Sequence, residues 1–223
     1  MEKLPKINII YEDNHLLVVE KPVGIPVQED KSKDIDMIRL LKDYRIKNEN
    51  KSGDAYIGLV HRLDRPVGGI MVFAKTSKAA SRLSEEIRNN TFHKTYLAVI
   101  KGTLKNKENT LNDYLIKNEK ENKSYVTSKD NGKASSLKYK VISEKDNLSL
   151  VEINLITGRS HQIRVQFSSR NHPLVGDSKY GNNPNNIDIA LFAQSITLVH
   201  PTTKETLTFT LKVPNRYPFN IFK

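Results

Sequence analysis

Cysteine and tryptophan are both absent from this chain of 223 residues. Without cysteine the chain cannot form a disulfide or a thiolate metal site. The six histidines show no spacing of the His-Glu-x-x-His kind, so we expect no metal ion. A Walker-type phosphate loop and a Gly-x-Gly-x-x-Gly turn are missing as well, and we therefore expect no nucleotide cofactor. The lack of cysteine is consistent with a reducing cytoplasm, where we expect the protein to act.

Long apolar segments are also missing. No run of apolar residues approaches the length that a transmembrane helix needs. The first residues, Met-Glu-Lys-Leu-Pro-Lys, are not followed by the apolar core of a signal peptide. An anionic membrane surface is therefore a weaker candidate partner than a nucleic acid.

Positive charge, by contrast, is in excess. Lysine and arginine number 36 against 25 aspartates and glutamates, which leaves a net charge of +11. A balance of this size implies an acidic partner, most often a nucleic acid. The length suits one or two domains. Because no internal repeat and no clean break in composition divides the chain, we predict a single domain over residues 1–223.

Short apolar runs separated by turn residues outnumber the helical patterns. Strands are predicted at residues 7–11, 16–19, 57–60, 70–74, 92–100, 151–155, 189–193, 196–199 and 206–213. Helices are predicted after an Asp34 cap, after a Ser77 cap and from about Ser160. The polar stretch 103–136 is predicted to form exposed hairpins. Together these elements predict an α/β protein of the α+β type, with a mixed, mostly antiparallel central sheet and flanking helices.

The most informative segment covers residues 61–75. Within it a single carboxylate, Asp64, lies between Arg62 and Arg65, and a proline and two glycines precede an apolar strand. Neighbouring positive charge favours the ionised form of an acid, and such carboxylates gather at functional sites. The alternative is an exposed loop with local ion pairs. Because strands are predicted on both sides, Asp64 is placed in a loop that a rigid scaffold can aim.

A second basic segment covers residues 157–166. A helix that begins near Ser160 would place His161 and Arg164 on one face and Ile163 on the adjacent apolar face. A planar guanidinium can meet a carboxylate through two hydrogen bonds, and Asp64 is the attractive partner for Arg164. The alternative is a helix with a solvated basic face.

A compact segment, Gly-Asp-Ser-Lys-Tyr-Gly, follows at residues 176–181. Taken alone it predicts a turn in which Asp177 accepts hydrogen bonds from backbone amides.

In their order along the chain these segments resemble the RluA family of RNA pseudouridine synthases. The similar segments are residues 13–24, the catalytic motif His-Arg-Leu-Asp-Arg at 61–65 with Gly69, the tyrosine strand 94–98, the arginine motif 157–164, and residues 172–173, 176–181, 191–193 and 200–201. The sequence departs from the family at Val67-Gly68, where Thr-Ser is frequent, and at Gln166 and Phe192, where His is frequent. Gly68 in place of serine is expected to loosen the loop.

The resemblance implies the pseudouridine synthase fold with a central cleft, and the isomerisation of uridine in structured ribosomal or transfer RNA without a cofactor. It implies that Asp64 attacks C1′ or removes the C2′ proton, that Tyr96 stacks on the uracil, and that Arg164 keeps Asp64 ionised. The substrate-binding residues that we expect are His61, Arg62, Arg65, Arg159, His161 and Ile163. Many relatives carry an N-terminal S4-like module, and this chain looks like a member without it. Since there is no long heptad segment, a monomer is expected.

Two other functions stay open at this point. A non-catalytic basic RNA-binding protein would have no need of Asp64. A nucleosidase or glycosidase would use Asp64 with Asp177 as a pair of carboxylates and would release free uracil. The basic balance of the chain favours RNA over neutral glycans.

Overall fold

The computed structural model describes Pro5, residues 7–50 and residues 53–223. In chain order the elements are β1 (Asn8–Glu12), β2 (Leu16–Lys21), α1 (Met37–Asn48), β3 (Gly58–Leu59), β4 (Gly68–Ala74), α2 (Ser77–Arg88), β5 (His93–Lys101), β6 (Glu108–Asn118), β7 (Lys123–Thr127), β8 (Lys133–Lys145), β9 (Leu148–Leu155), α3 (Gln162–Ser168), β10 (Leu191–Val199), β11 (Thr206–Thr210) and a short 3₁₀ helix (Phe219–Phe222). Strands paired in sheets and α-helices in the described residues confirm the predicted α+β class.

The described residues form two compact units. The first contains the chain up to His93 together with Ser195–Leu211, and the second contains Lys94–Gln194 together with Lys212–Lys223. The single domain and the central cleft that the sequence suggested stay predictions.

The first unit is built on an antiparallel arrangement of β1, β2 and β4. Strand β2 pairs with β1 and, in the register Leu16↔Ala74 to Lys21↔Gly69, with β4. Every residue of β4 is buried, as is β2 except for Glu20. Residues 16–19 and 70–74 are continuous apolar runs, and Lys21 is buried with them. Burial of each large side chain contributes about 1.5–3 kcal/mol, so these strands form a firm base for the loops at their ends.

In both helices of the first unit the residue that caps the helix differs from the predicted one. Helix α1 begins at Met37 because the Asp36 carboxylate accepts a hydrogen bond from the backbone N–H of Arg39 at 3.1 Å. Asp34, the predicted cap, instead pairs with Arg65. Helix α2 does begin at Ser77, but Thr76 caps it. The choice between neighbouring polar residues depends on backbone conformation, which the pattern of apolar residues does not fix.

The second unit contains an antiparallel sheet in the order β5–β9–β8–β6–β7. Strands β6 to β8 confirm that the polar stretch 103–136 forms hairpins. One face of these hairpins is anchored by the buried side chains of Leu111, Leu115 and Leu137. The two strands predicted at 189–193 and 196–199 are one strand, β10.

Asp13 organises the turn between β1 and β2. Its Oδ1 accepts hydrogen bonds from the backbone N–H groups of His15 and Leu16, both at 2.7 Å. Its Oδ2 accepts from the hydroxyl of Tyr11 at 2.9 Å and lies 2.8 Å from Nε2 of His200. Burial by itself raises the pKa of Asp13, but these hydrogen bonds outweigh it and hold the pKa below the ordinary value.

We predict that replacing this carboxylate, in the variant Asp13→Asn, lowers the free energy of unfolding by about 1–3 kcal/mol at pH 7. Since the folded state lowers the pKa, the stabilisation is fully present above the unfolded value of 3.8 and is lost as pH falls through the folded value. Urea unfolding between pH 3 and pH 7 measures the difference. Asp43→Asn, on the same unit, is the control and should match the wild type. A difference that stays constant down to pH 3 would contradict the account.

Candidate active site

Asp64 lies in the turn that connects β3 to β4. The backbone N–H of Val67 donates to the carbonyl oxygen of Asp64 at 2.9 Å, which closes the turn. Leu63 and Val67 are buried and anchor it, whereas Asp64 is partly exposed and Arg62 is exposed. The alternation places the apolar side chains inside and the carboxylate at a position that a ligand can reach.

A buried lysine holds this turn in place through hydrogen bonds. Lys21 is 1 % exposed, and its Nζ donates to the carbonyl oxygens of Pro22 at 2.9 Å, Arg65 at 3.0 Å and Val67 at 2.8 Å. All three protons of the ammonium group are therefore directed at backbone carbonyls of two loops. Burial lowers the pKa of Lys21 to about 8, against the opposing effect of the negative charge on Asp64. The sequence patterns did not predict a role for Lys21, although Lys-Pro-Val-Gly belongs to the first of the family-like segments.

Gly68 lies where the two loops held by Lys21 come close to each other. It is the first residue of β4, and an added Cβ would lie 3.1 Å from Cγ2 of Val23 and 3.3 Å from the carbonyl oxygen of Lys21. Gly68 thus lies in a strand with little space for a side chain. The expectation that it loosens the loop stays a prediction.

The family resemblance implies that Asp64 is the catalytic carboxylate. On that basis we predict that removal of this buried cation, in Lys21→Met, reduces the rate of uridine isomerisation at least about tenfold, because small misplacements of a catalytic group are costly. The three carbonyl groups lose a donor, so the protein should also be less stable by about 1–3 kcal/mol. The ammonium loses its charge as pH rises through about 8, and turnover of the wild type should fall over the same range. Single-turnover rates from pH 6 to pH 9 measure both effects, with Lys78→Met on the surface of α2 as the control. Wild-type turnover by Lys21→Met would refute this role.

His61 and Arg65 support the turn from its two ends. The buried ring of His61 accepts a hydrogen bond at Nε2 from the backbone N–H of Val72 at 3.0 Å, which places the proton of the neutral ring on Nδ1. Arg65 donates through Nε to the carbonyl oxygen of Gly24 at 2.9 Å and pairs with Asp34. These contacts favour a role for both residues in holding the loop over direct contact with RNA.

Arg164 lies on α3 in the second unit. The helix begins at Gln162, after His161, whose φ of 53° is in the left-handed region, and not at Ser160. Arg164 is 4 % exposed, which rules out the alternative of a solvated basic face at this residue.

The guanidinium of Arg164 forms a two-point ion pair with Asp177. Nε donates to Oδ2 at 2.8 Å and Nη2 donates to Oδ1 at 2.7 Å. Oδ1 also accepts from the backbone N–H groups of Lys179 at 2.9 Å and Tyr180 at 3.0 Å, which confirms the predicted turn. Burial raises the pKa of Asp177, but Arg164 and these amides outweigh it and hold the pKa below the ordinary value. The predicted pairing of Arg164 with Asp64 stays a prediction.

This arrangement disfavours the two-carboxylate hydrolase. The hydrolase hypothesis requires Asp177 as the second carboxylate, because a glycosidase needs both carboxyl groups at the sugar. The side chain of Asp177 is fully buried and occupied by the guanidinium of Arg164. It therefore serves as a counterion and is not placed to reach a substrate.

Tyr180 covers the guanidinium group. Its ring centroid lies 5.2 Å from Cζ of Arg164. Its hydroxyl accepts a hydrogen bond from the backbone N–H of Ser124 at 2.6 Å and lies 2.8 Å from Nδ1 of His161. The predicted RNA-binding residue His161 is thus tied to the turn that holds Asp177.

The other predicted residues of the second unit lie on β5, in the turn before α3, and on α3. Tyr96 lies on β5 opposite Ile153 and is 6 % exposed. Arg159 is exposed, and its Nε donates to the carbonyl oxygen of Ala134 at 2.9 Å. Ile163 is buried, which favours a packing role over contact with RNA.

Among Pro5, residues 7–50 and residues 53–223, no group of three or more His, Asp or Glu side chains is placed to hold a metal ion. Within the same part of the chain, no helix has the length and apolar character needed to cross a membrane.

Comparisons with known proteins give a consistent result. Residues 15–169 match the profile of a family described as RNA pseudouridylate synthase. An uncharacterised RNA pseudouridine synthase of Bacillus subtilis is 34 % identical over 208 residues, which cover 91 % of this chain and 67 % of that protein. Ribosomal large subunit pseudouridine synthase C of Vibrio vulnificus is 35 % identical over 207 residues, which cover 89 % of this chain and 63 % of that protein. The chain thus spans about two thirds of the length of these relatives.

A solved structure shares the fold. Human RNA pseudouridylate synthase domain containing 4 superposes with a TM-score of 0.78 at 23 % identity, covering 93 % of this chain and 88 % of that one.

Proposed function

Because the chain belongs to the RNA pseudouridylate synthase family, we propose that it isomerises uridine to pseudouridine within RNA. The observation that carries the proposal is the Asp64 turn. Inside the matched residues 15–169, a partly exposed carboxylate is held on a rigid turn with a buried cation, Lys21, beneath it. A fixed carboxylate is what nucleophilic or base catalysis at a ribose requires.

The proposed reaction rearranges one nucleotide and consumes nothing. The C1′–N1 bond breaks, the uracil turns, and C5 bonds to C1′. The proton at C5 is lost and N1 gains one, so that atoms and charge balance. Asp64 acts at the sugar, either by attack on C1′ or by removal of the C2′ proton. Neither step needs an external source of energy.

We assign Tyr96 and Arg164 to the same reaction. Tyr96 stacks on the uracil, and the guanidinium of Arg164 favours the ionised form of Asp64. In this proposal exposed Arg62 and exposed Arg159 each bind phosphate groups, and His161 also contacts the RNA. His61, Arg65 and Ile163 support these groups through the packing and hydrogen bonds described above.

The proposed substrate is structured RNA, from which a uridine must leave its stack before it reaches a carboxylate. The net charge of +11 supports binding to RNA phosphates and predicts a strong dependence on salt. The names of relatives such as ribosomal large subunit pseudouridine synthase C favour ribosomal RNA over transfer RNA as the substrate. The monomeric state and the cytoplasmic location belong to the same proposal.

Release of tritium from RNA that carries [5-³H]uridine tests the proposal. Incubation of the purified protein with ribosomal RNA should release tritium as water while the RNA stays intact and gains pseudouridine. Free uracil in place of pseudouridine would identify a nucleosidase. RNA binding without tritium release, from either ribosomal or transfer RNA, would identify a non-catalytic RNA-binding protein.

A further inference from the structure

The ion pair between Arg164 and Asp177 fixes the plane of the guanidinium group. Two parallel hydrogen bonds, at 2.8 Å and 2.7 Å, join the Nε–Nη2 edge of the arginine to both carboxylate oxygens. A two-point contact of this kind sets both the direction and the rotation of the guanidinium. Since the side chains are 5 % and 0 % exposed, water offers no competing partner to the pair.

Asp177 is itself held by the turn 176–181. Its Oδ1 accepts from two backbone amides, and the carbonyl oxygen of Asp177 accepts from the backbone N–H of Gly181 at 3.0 Å. Gly176, just before it, has φ of +76°, and a Cβ there would overlap the carbonyl oxygen of Asp188. The turn thus constrains the backbone of Asp177, and its two amides hold the carboxylate by Oδ1.

Tyr180 restricts the guanidinium from one side of its plane. Its ring lies 5.2 Å from Cζ of Arg164, and its carbonyl oxygen accepts from the hydroxyl of Ser168 at 2.6 Å. An arginine that stacks on an aromatic ring and pairs with a carboxylate keeps little rotational freedom.

We propose that Asp177, assisted by Tyr180, is the positioning residue for Arg164 and thereby acts on the isomerisation without touching the RNA. This inference rests on the proposed function, in which Arg164 belongs to the catalytic group. A buried arginine on a helix of seven residues needs an anchor if its guanidinium is to be delivered in one orientation. Asp177 supplies that anchor from the neighbouring turn.

A double-mutant cycle tests the proposal. Single-turnover rate constants, the KM for RNA and the melting temperature are measured for the wild type, Asp177→Asn, Arg164→Met and the double variant. Asp113→Asn is the matched control. In the same unit Asp113 forms a two-point pair with Arg170, at 2.9 Å and 3.0 Å, that the proposed reaction does not use.

The expected result is a loss of about tenfold or more in rate for Asp177→Asn, with the KM for RNA within about twofold of the wild type. In the Arg164→Met background the same substitution should cost less than about twofold, because Asp177 acts only through Arg164. The double variant should also melt at a higher temperature than Arg164→Met alone, since it no longer buries an unpaired carboxylate. Asp113→Asn should keep the wild-type rate.

Three outcomes would overturn the inference. A wild-type rate for Asp177→Asn would do so, and so would an equal loss in both backgrounds, which indicates a general structural role. If Asp177→Asn does not fold, Tyr180→Leu and Tyr180→Phe replace it. Tyr180→Phe keeps the ring over the guanidinium and should keep more of the rate than Tyr180→Leu, so that equal rates would contradict the proposal. An inactive wild type would instead count against the proposed function itself.

Discussion

Substitution of the central carboxylate, Asp64→Asn, should abolish turnover while RNA binding persists. The amide has the size of the carboxylate but can neither attack C1′ nor accept a proton from C2′ at a useful rate. Loss of a general base costs about 10²–10⁴ in rate, and loss of a nucleophile costs more. Because the turn is held by Lys21 and by buried Leu63 and Val67, the fold should tolerate the change.

Tritium release and a filter-binding isotherm, measured on the same RNA, separate the two properties. The expected result is no detectable release with a Kd close to that of the wild type. Asp54→Asn, at an exposed carboxylate that pairs with Lys42 in the first unit, should retain full activity. Turnover by Asp64→Asn above a few per cent of the wild-type rate would remove Asp64 from its proposed role.

The second large effect is expected for the substitution Arg164→Met, which should lower both activity and stability. Arg164→Met removes the partner of a fully buried carboxylate, and breaking a buried pair in this way costs about 3–5 kcal/mol of stability. The same variant should lose most of its turnover, since the proposed favourable effect on the ionised form of Asp64 is gone. Arg164→Lys keeps the positive charge but not the two-point geometry, and should fall between the wild type and Arg164→Met in rate.

Chemical unfolding and single-turnover rates on the three proteins check this prediction. Arg170→Met provides the comparison, because its pair with Asp113 is partly exposed and should contribute much less to stability. Normal stability of the Arg164→Met variant would contradict the claim that Arg164 forms a buried ion pair with Asp177. Arg164→Met with normal stability and normal turnover would also remove Arg164 from the proposed reaction.

The sequence predicts the Asp64 turn well because the residues that form the turn lie close together in the chain. The charge pattern, the proline and the glycines all lie within a few residues of Asp64, and the flanking strands are continuous apolar runs. The amide contacts of Asp177 are equally local, and the structure confirms them. Local patterns of this kind fix backbone conformation at short range.

The partners of buried charges could not be predicted in the same way. Lysine side chains are almost always exposed. The sequence therefore gives no sign that Lys21 is buried and holds the turn by hydrogen bonds to backbone carbonyl groups. The two-point contact of Arg164 with Asp177, which lies thirteen residues further on across a helix end and a turn, was not predicted. The predicted pairing of Arg164 with Asp64 stays a prediction beside it. Such pairings depend on how elements pack, and packing is decided by the whole chain.

The most direct test of the central claim is a map of pseudouridines in total RNA from cells that lack the gene, supplied with either the wild-type chain or Asp64→Asn. The account predicts that one or more pseudouridines disappear when the gene is removed and return only with the wild-type chain. Their return with Asp64→Asn, or a map that is the same with and without the gene, would contradict it.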